Sequence, residues 1–275
     1  MEWIEIFKAI ILGIVQGITE WLPVSSTGHM ILVDEFLQLS MSAQFKEIFF
    51  VVVQFGSILA VVILYWNKIF PFNFNKKPFV EKDIIIMWTK IALACVPAAI
   101  IGLKWDDQIN ALFYNVQTVS IMLILFGILF IVVENHNKGR RPKVTKMNQL
   151  TYKMALIIGL FQVIAAVFPG TSRSGSTIVG ALMIGISREI AAEFTFFLAI
   201  PVMFGASLLK IVKLGLALTG FELLVLGVGT VVSFIVSVWA IKFLMSYIKK
   251  HDFKVFGWYR IILGIILIVY FFFIR

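Results

Sequence analysis

The sequence predicts an all-α, polytopic integral membrane protein, and its composition, its apolar segments and its loop charges each support this fold class. Of 275 residues, 60% are hydrophobic and only 14% are charged, with a mean hydropathy of +0.98. A soluble domain is about 45–50% apolar and about 25% charged. A water-soluble fold of this length could not cover so much apolar surface. The composition therefore excludes a soluble enzyme, a disordered chain and a nucleic-acid-binding module.

Six apolar segments are long enough to cross a bilayer, which takes about 20 residues in a helix. We therefore expect six full crossings. They lie at about 48–65, 84–103, 117–133, 191–213, 221–244 and 256–274.

Two further apolar regions, 3–38 and 152–186, are interrupted at a similar point. In each, an apolar helix, expected at 3–22 or 152–168, runs into a proline and then a cluster of Ser, Thr and Gly. A shorter apolar piece follows, at about 29–38 or 177–186. Proline ends a helix, and the freed backbone groups are tolerated inside a bilayer only where they are buried in protein or line a cavity. The pattern predicts two re-entrant helix–loop–helix units.

The charges of the connecting loops orient these segments. The loop 66–83 carries four lysines, 134–153 carries six basic residues and 245–255 carries three lysines, whereas 104–116 has one lysine against two aspartates and 214–220 has no charge. Basic loops mark the cytoplasmic side. The first re-entrant unit then enters from outside and the second from the cytoplasm. The net charge of +9 reflects these loops and needs no nucleic-acid partner.

The two re-entrant regions are similar to each other at a shift of 146 residues. Seven of 18 positions are identical between 9–26 and 155–172, including glycine, glutamine, proline and serine matches. Three crossings follow each unit, and an odd number inverts the second copy. We predict a single membrane domain, 1–275, built of inverted-topology repeats at 1–133 and 152–275, with a site where the two loops meet.

The first loop region, Q-G-I-T-E-W-L-P-V-S-S-T-G-H at 16–29, is unusually polar for an apolar segment. Gln16 and Glu20 are four residues apart and share one helix face. A carboxylate inside a membrane is costly and usually functional. Beyond the proline come Ser25, Ser26, Thr27 and His29.

The second loop, P-G-T-S-R-S-G-S-T at 169–177, surrounds one arginine with hydroxyls and glycines. Glycines allow backbone N–H groups to converge on an anion, and the guanidinium of Arg173 suits phosphate oxygens. The loop is not a Walker P-loop, because the terminal Gly-Lys-Ser/Thr is absent. An ion pair with Glu20 is the structural alternative, but it leaves the hydroxyls unexplained. These belong to Thr171, Ser172, Ser174, Ser176 and Thr177.

The two loops together supply the groups that phosphate chemistry needs. His29 or Ser26 could attack phosphorus, with Glu20 as the base or as an orienting group. Arg173 and donors of the loops would stabilise charge on the equatorial oxygens. The predicted phosphate-binding residues besides Arg173 are Gln16, Ser25, Thr27, Thr171, Ser172, Ser174 and Ser176. The apolar surroundings indicate a substrate with a lipid tail.

At these motifs the sequence resembles the bacterial undecaprenyl-diphosphate phosphatase family of the bacitracin-resistance type. The match rests on the long polar motifs at 16–29 and 169–177, and the runs VPAAIIG at 96–102 and YRIILG at 259–264 are also similar. The resemblance therefore spans essentially the whole chain. It implies hydrolysis of undecaprenyl diphosphate to undecaprenyl phosphate and phosphate, at the bacterial plasma (inner) membrane. This reaction recycles the lipid carrier for peptidoglycan and other wall polymers and confers bacitracin resistance.

The resemblance also assigns roles to individual residues. The acidic motif of the family falls on Gln16 and Glu20, its histidine on His29, its loop serine on Ser26 and its arginine on Arg173. The family is associated with a divalent cation, Mg²⁺ or Ca²⁺, and with no organic cofactor. Glu20 together with substrate phosphates could hold that ion. Glutamine at the first acidic position weakens a metal site of two carboxylates, and the choice between serine and histidine as nucleophile stays open.

Two other functions would also need an anion site inside a membrane. The acid-phosphatase-like lipid phosphatases place a histidine six residues after Ser-Arg, where this chain has Val179, so that class is excluded. A polyprenyl-phosphate transporter is the alternative, because inverted repeats with re-entrant loops are a transporter architecture. Both functions use the anion site, but only hydrolysis requires proton or nucleophile chemistry from Glu20 and His29.

Overall fold

A computed structural model describes residues 2–73, 79–214 and 218–274, without the side chains of 210, 213 and 214. Helices dominate this part of the chain, as the sequence predicts, and no β-strand forms there beyond two isolated bridges. The first half contains α1 (Glu2–Thr19), α2 (Ser26–Phe36), α3 (Ala43–Leu64), α4 (Trp66–Ile69), α5 (Lys82–Phe113) and α6 (Val116–Asn137). The second half contains α7 (Tyr152–Val167), α8 (Arg173–Met183), α9 (Arg188–Leu214), α10 (Gly220–Ile248) and α11 (Lys254–Val269), which a π-helical turn extends at Tyr270–Ile274.

Six helices among the described residues are long and apolar enough to cross a bilayer, which confirms the six predicted crossings. One predicted boundary was wrong. The segment 104–116, expected to be a loop, is mostly helix, because α5 continues to Phe113 and α6 begins at Val116. Lys104, Asp106 and Asp107 are exposed on this extension. Their polar side chains face away from the core, so the helix continues with its charges on an open surface.

Each re-entrant region forms two helices separated by a short turn. The second helices, α2 and α8, have 11 residues each. At 1.5 Å per residue this is about 17 Å, too short to span a hydrocarbon core of about 30 Å. The helix pairs are therefore compatible with re-entrant units, and their depth and orientation in a membrane stay predictions.

Both second helices begin earlier than the apolar pieces predicted at about 29–38 and 177–186. Ser25 caps α2 by accepting from the backbone N–H of Gly28 (3.4 Å), and Ser172 caps α8 by accepting from Gly175 (3.1 Å). Serine is a favoured N-cap, so the polar clusters start helices as well as ending them. As a result, Arg173 is the first residue of α8.

The caps change one detail of the predicted repeat. Ser25 corresponds structurally to Ser172, since both are N-caps with positive φ (74° and 68°). The sequence shift of 146 residues pairs Ser172 with Ser26 instead. The second loop has one more residue between its proline and its cap than the first. The repeat therefore shifts by one position beyond Pro23 and Pro169.

Two equivalent close contacts between helices join the two halves. A Cβ on Gly13 of α1 would lie 2.7 Å from the carbonyl oxygen of Gly229 on α10, and one on Gly159 of α7 would lie 2.4 Å from that of Ala94 on α5. The first helix of each re-entrant pair thus packs on the second crossing of the other half. An inverted repeat would give this arrangement; the division into 1–133 and 152–275 stays a prediction.

The main core surrounds α8, whose residues are nearly all buried, including Ile178, Val179 and Ala181. Phe194 and Phe197 of α9 pack into the same core. The loop that carries Arg173 therefore leads into the most deeply packed helix.

At the basic loops, Glu134 is buried and pairs with Arg188 at 2.5 Å. Lys76 and Lys77 of the loop 66–83 lie outside the described residues.

Candidate active site

A cavity of about 250 Å³ opens where the two re-entrant loops meet. Residues of both loops form one side of it, and residues of α3 and α9 form the other. The lining residues are Thr19, Glu20, Ser26, Thr27, Gln54, Ala165, Pro169, Gly170, Ser172, Arg173, Ser174, Val202, Met203 and Ala206.

Glu20 and Arg173 meet at the centre of this cavity. Arg173 Nη2 lies 3.0 Å from Glu20 Oε1, although the two residues are 153 positions apart in sequence. The side chain of Glu20 is 9% exposed and that of Arg173 is 14% exposed. A buried ion pair contributes little net stability, because desolvation offsets the attraction. The pair predicted as the structural alternative therefore forms, but it forms in the wall of a cavity that serine and threonine side chains also line.

The second carboxylate oxygen of Glu20 faces the first loop. Gln16 Nε2 donates to Glu20 Oε2 at 3.0 Å, so the shared helix face predicted for these two residues brings them together. Helix α1 ends at Thr19, before the expected limit of residue 22, but the Glu20 N–H still bonds to the Gln16 carbonyl (3.0 Å). Ser26 Oγ lies 3.5 Å from Oε2. Such contacts are often long without substrate and tighten when it binds.

Arg173 is held at its far side and open toward the cavity. Nη1 donates to the carbonyl oxygen of Thr195 (3.2 Å), and Nη2 contacts the sulfur of Met203 (3.6 Å). The guanidinium also lies 5.9 Å from the ring centroid of the fully buried Trp21. A guanidinium has five N–H donors, so donors remain for an anion in the cavity.

Four of the predicted polar loop residues, besides Glu20 and Arg173, line the cavity: Ser26, Thr27, Ser172 and Ser174. Ser174 Oγ donates to the Glu20 carbonyl oxygen (3.3 Å) and lies 3.2 Å from Ser172 Oγ. Serine at positive φ is uncommon and costs energy, so the turns at both caps are held by their surroundings. These turns bring both helix N-termini to the cavity, where backbone N–H groups favour anions.

Other predicted phosphate ligands lie behind the cavity and do not line it. Ser176 is buried and donates to the carbonyl oxygen of Phe161. Thr177 Oγ1 donates to the carbonyl oxygen of Arg173 (2.9 Å). Ser25, Thr171 and Gln16 are also buried and are absent from the lining. In this arrangement these side chains do not line the cavity, and their contact with a phosphate stays a prediction.

His29 does not join Glu20 and Arg173. Its Nδ1 lies 2.7 Å from the carbonyl oxygen of Ser25, and its Nε2 lies 2.6 Å from the hydroxyl of Tyr259. A carbonyl only accepts, so Nδ1 carries the proton and Nε2 accepts from the tyrosine. The two rings also stack, with centroids 5.5 Å apart. His29 is therefore connected to the site through its hydrogen bond to the carbonyl oxygen of Ser25, the residue before Ser26.

Arg260, a fully buried residue of α11, was not among the predicted site residues. Its guanidinium donates to the carbonyl oxygens of Thr171 (2.7 Å), Gly170 (3.0 Å) and Pro23 (3.3 Å), and so it contacts both loops. The signal was present, because an arginine in the apolar run 256–274 needs a partner. Gln54 of α3, which lines the cavity, was missed as well.

The cavity offers few ligands for a metal ion. No group of three His, Cys, Asp or Glu residues suited to a metal occurs in the part of the chain that the structure describes. Glu20 is the single carboxylate of the lining, and Arg173 and Gln16 already bond to it. Mg²⁺ often uses one carboxylate together with substrate phosphates. The residues thus fit a cation that a phosphate substrate helps to hold.

Known proteins are similar to this chain over nearly its whole length. The family model described as bacitracin resistance protein BacA matches residues 9–266. An undecaprenyl-diphosphatase of Desulfitobacterium hafniense is 67% identical, with 98% of each chain covered. Undecaprenyl-diphosphatase 1 of Clostridium acetobutylicum is 64% identical over 98% of this chain and 99% of the relative, and an Enterococcus faecalis undecaprenyl-diphosphatase is 59% identical over 98% of each. The chain therefore belongs to the bacitracin resistance protein BacA family.

Proposed function

We propose that this protein hydrolyses undecaprenyl diphosphate to undecaprenyl phosphate and inorganic phosphate in the bacterial plasma membrane. The observation that carries the proposal is one cavity in which two loops place a carboxylate, a guanidinium and serine hydroxyls together. Close relatives named undecaprenyl-diphosphatase support the same reaction. Its product is the lipid carrier for peptidoglycan synthesis, and its recycling confers bacitracin resistance.

Substrate binding begins with the charges of the diphosphate. The terminal phosphate enters between the starts of α2 and α8, where Arg173 and backbone N–H groups receive its oxygens. The lipid chain leaves along the apolar wall of Val202, Met203 and Ala206 toward the bilayer. Phosphate oxygens compete with Glu20 for the same guanidinium. Binding therefore frees the carboxylate to act as a base.

Ser26 is the nucleophile of the proposed reaction, because it lines the cavity and faces Glu20, whereas His29 does neither. Its oxygen bonds to the terminal phosphorus as the bridging P–O bond breaks, and its proton passes to Glu20. Undecaprenyl phosphate leaves and takes this proton from Glu20 on its departing oxygen, which restores the carboxylate. Water then attacks the phosphoserine with the carboxylate as base, which releases phosphate and restores Ser26.

A divalent cation, Mg²⁺ or Ca²⁺, is part of the proposal. Glu20 would supply one protein ligand, and phosphate oxygens and water would supply the others. When bound, the ion neutralises phosphate charge. Arg173 and the loop donors hold the phosphate, and Glu20 moves the proton.

The choice of nucleophile has a direct test. We expect a brief reaction with substrate labelled in its terminal phosphate, quenched in acid, to leave an acid-stable label on the peptide that contains Ser26. A phosphohistidine is acid-labile, so a label lost in acid and retained in alkali would identify His29 instead.

Phosphate release by the purified protein tests the function itself. We expect the detergent-solubilised protein to convert a C55 diphosphate to the monophosphate with one phosphate released per turnover. In liposomes, a transporter would move the lipid monophosphate between leaflets without releasing phosphate. Lipid movement without hydrolysis would overturn the proposal in favour of transport.

A further inference from the structure

Arg260 carries a positive charge in a fully buried position of α11. Within the described ranges, no Asp or Glu carboxylate forms an ion pair with it. A buried charge without compensation is strongly unfavourable. Groups other than carboxylates must therefore stabilise this guanidinium.

Backbone carbonyls from three elements surround the guanidinium. Nη1 donates to the carbonyl oxygen of Pro23 (3.3 Å) in the first loop. Nη2 donates to those of Gly170 (3.0 Å) and Thr171 (2.7 Å) in the second loop, and to that of Met122 (3.4 Å) on α6. One planar group thus bonds to both re-entrant loops at once. A point-like ammonium could not span these oxygens equally well.

These carbonyls lie directly behind the reacting groups. Pro23 precedes Ser26 by three residues, and Thr171 precedes Arg173 by two. Arg260 itself does not line the cavity, so it does not contact a substrate bound there. Gly175 of α8 leaves the space for it, since a Cβ at that position would lie 2.8 Å from Nη1.

We propose that Arg260 is a positioning residue that clamps the two re-entrant loops together. The clamp fixes Ser26 of one loop relative to Arg173 of the other, and it places a positive charge without a carboxylate partner behind the phosphate site. The kinetic part of this inference rests on the proposed hydrolysis. The clamp itself is a property of the folded protein and has a readout that needs no substrate.

Four variants separate the clamp from general packing. Arg260→Met removes it, and Arg260→Lys keeps the charge without the planar fork. Gly175→Ala displaces the guanidinium while leaving the arginine in place, which covers the case in which Arg260→Met fails to fold. Leu267→Ala is the matched control, because Leu267 is a fully buried residue of the same helix that does not contact the loops' carbonyls.

Two measurements are made on each folded variant. Hydrogen exchange followed by mass spectrometry reports the opening of residues 20–28 and 168–176. We expect Arg260→Met and Gly175→Ala to speed exchange in both segments, and Leu267→Ala to leave both as in the wild type. Steady-state phosphate release reports kcat and KM. We expect kcat to fall by about 10- to 100-fold in Arg260→Met, with KM changing far less, because a misplaced reacting group lowers turnover.

The double variant gives the sharpest comparison. If Gly175→Ala acts by displacing Arg260, its effect on kcat should largely vanish in the Arg260→Met background. The proposal would be overturned if Arg260→Met kept wild-type exchange in either loop or kept the wild-type kcat. It would also be overturned by full activity of Arg260→Lys, or by additive effects on kcat in the double variant. Absence of phosphate release from the wild type would contradict the proposed function instead, and loop exchange would still decide the clamp.

Discussion

Glu20 has different partners on its two carboxylate oxygens. Oε1 bonds to Arg173, and Oε2 accepts from Gln16 and faces Ser26. In the proposed mechanism, the first contact couples the carboxylate to the group that receives phosphate, and the second couples it to the nucleophile. One side chain therefore links substrate binding to activation of the serine.

Replacing Ser26 by alanine removes only the hydroxyl that faces Glu20. We expect kcat for phosphate release to fall by about 10³-fold or more, because the nucleophile is lost while binding by Arg173 remains. Ser120→Ala is the control, since this buried hydroxyl bonds to the Val116 carbonyl of its own helix. It should retain wild-type turnover. Wild-type turnover by Ser26→Ala would exclude Ser26 from the chemistry.

The residue types of the site were predictable from sequence, but the directions in which their side chains point were not. Glu20 and Arg173 stood out because charge is rare in an apolar chain, and they do meet. His29 stood out for the same reason, yet it points to Tyr259, a partner 230 residues away that no local pattern indicates. Which hydroxyls face the cavity depends on a helix register that only the folded loops define.

At the scale of the element, the serine caps both begin helices and shape the cavity. Ser172 contributes three features together: a positive φ, a hydrogen bond to the Gly175 N–H and a hydroxyl in the cavity wall. Different substitutions separate them. Glycine accepts the positive φ without a side chain, whereas alanine keeps the strain and loses the cap.

We expect Ser172→Ala to lower the free energy of unfolding by about 1 kcal/mol, through loss of the cap. Ser172→Gly should change stability by only a few tenths of a kcal/mol, because relief of the strained φ offsets that loss. Both should turn over more slowly, since both lack the hydroxyl. Thermal unfolding in detergent, measured beside phosphate release, checks this; equal stability of the two variants would contradict the role assigned to the backbone.

Two helical glycines differ in the space around them, so alanine should change stability in opposite directions at the two positions. Gly159 lies against the backbone of α5, whereas Gly205 of α9 has open space at its Cβ position. Gly159→Ala should destabilise the protein by about 1–3 kcal/mol through overpacking. Gly205→Ala should stabilise it by up to about 1 kcal/mol, because alanine favours helix. If thermal unfolding ranked the two variants the other way, the close contact of α7 with α5 would be wrong.

The elements that the sequence predicted well are those that hydropathy and proline define. All six long helices were anticipated, and both interruptions were located at Pro23 and Pro169. The starts of α2 and α8 and the length of α5 were not, because they depend on side-chain caps and on an amphipathic extension that carry little hydropathy signal. The clamp by Arg260 depends on tertiary contacts between distant segments.

At the scale of the molecule, the matched packing of the two halves contrasts with the uneven distribution of charge. Glu20 lies in the first half and has Ala166 at the corresponding position of the second. Arg173, which lines the cavity, and the fully buried Arg260 both lie in the second half. Two similar halves thus combine into one unsymmetrical site. A hydrolase needs one such site, and this asymmetry agrees with the proposed reaction.

The predicted orientation of the whole chain is open to direct labelling. The chain has one cysteine, Cys95, so a Cys95→Ala background accepts a single reporter. We expect a cysteine at Gly139, exposed in the basic loop 134–153, to react with an impermeant reagent only after the cells are opened. A cysteine at Asp107 should react in intact cells. The reverse pattern would invert the orientation.

In the proposed mechanism, Glu20, paired with Arg173, performs the proton chemistry of diphosphate hydrolysis. The most direct test compares kcat for phosphate release from a C55 diphosphate between wild type and Glu20→Gln, which preserves shape and removes charge. General-base catalysis predicts a fall of about 10²- to 10⁴-fold in folded protein. Turnover by Glu20→Gln equal to that of the wild type would contradict the account.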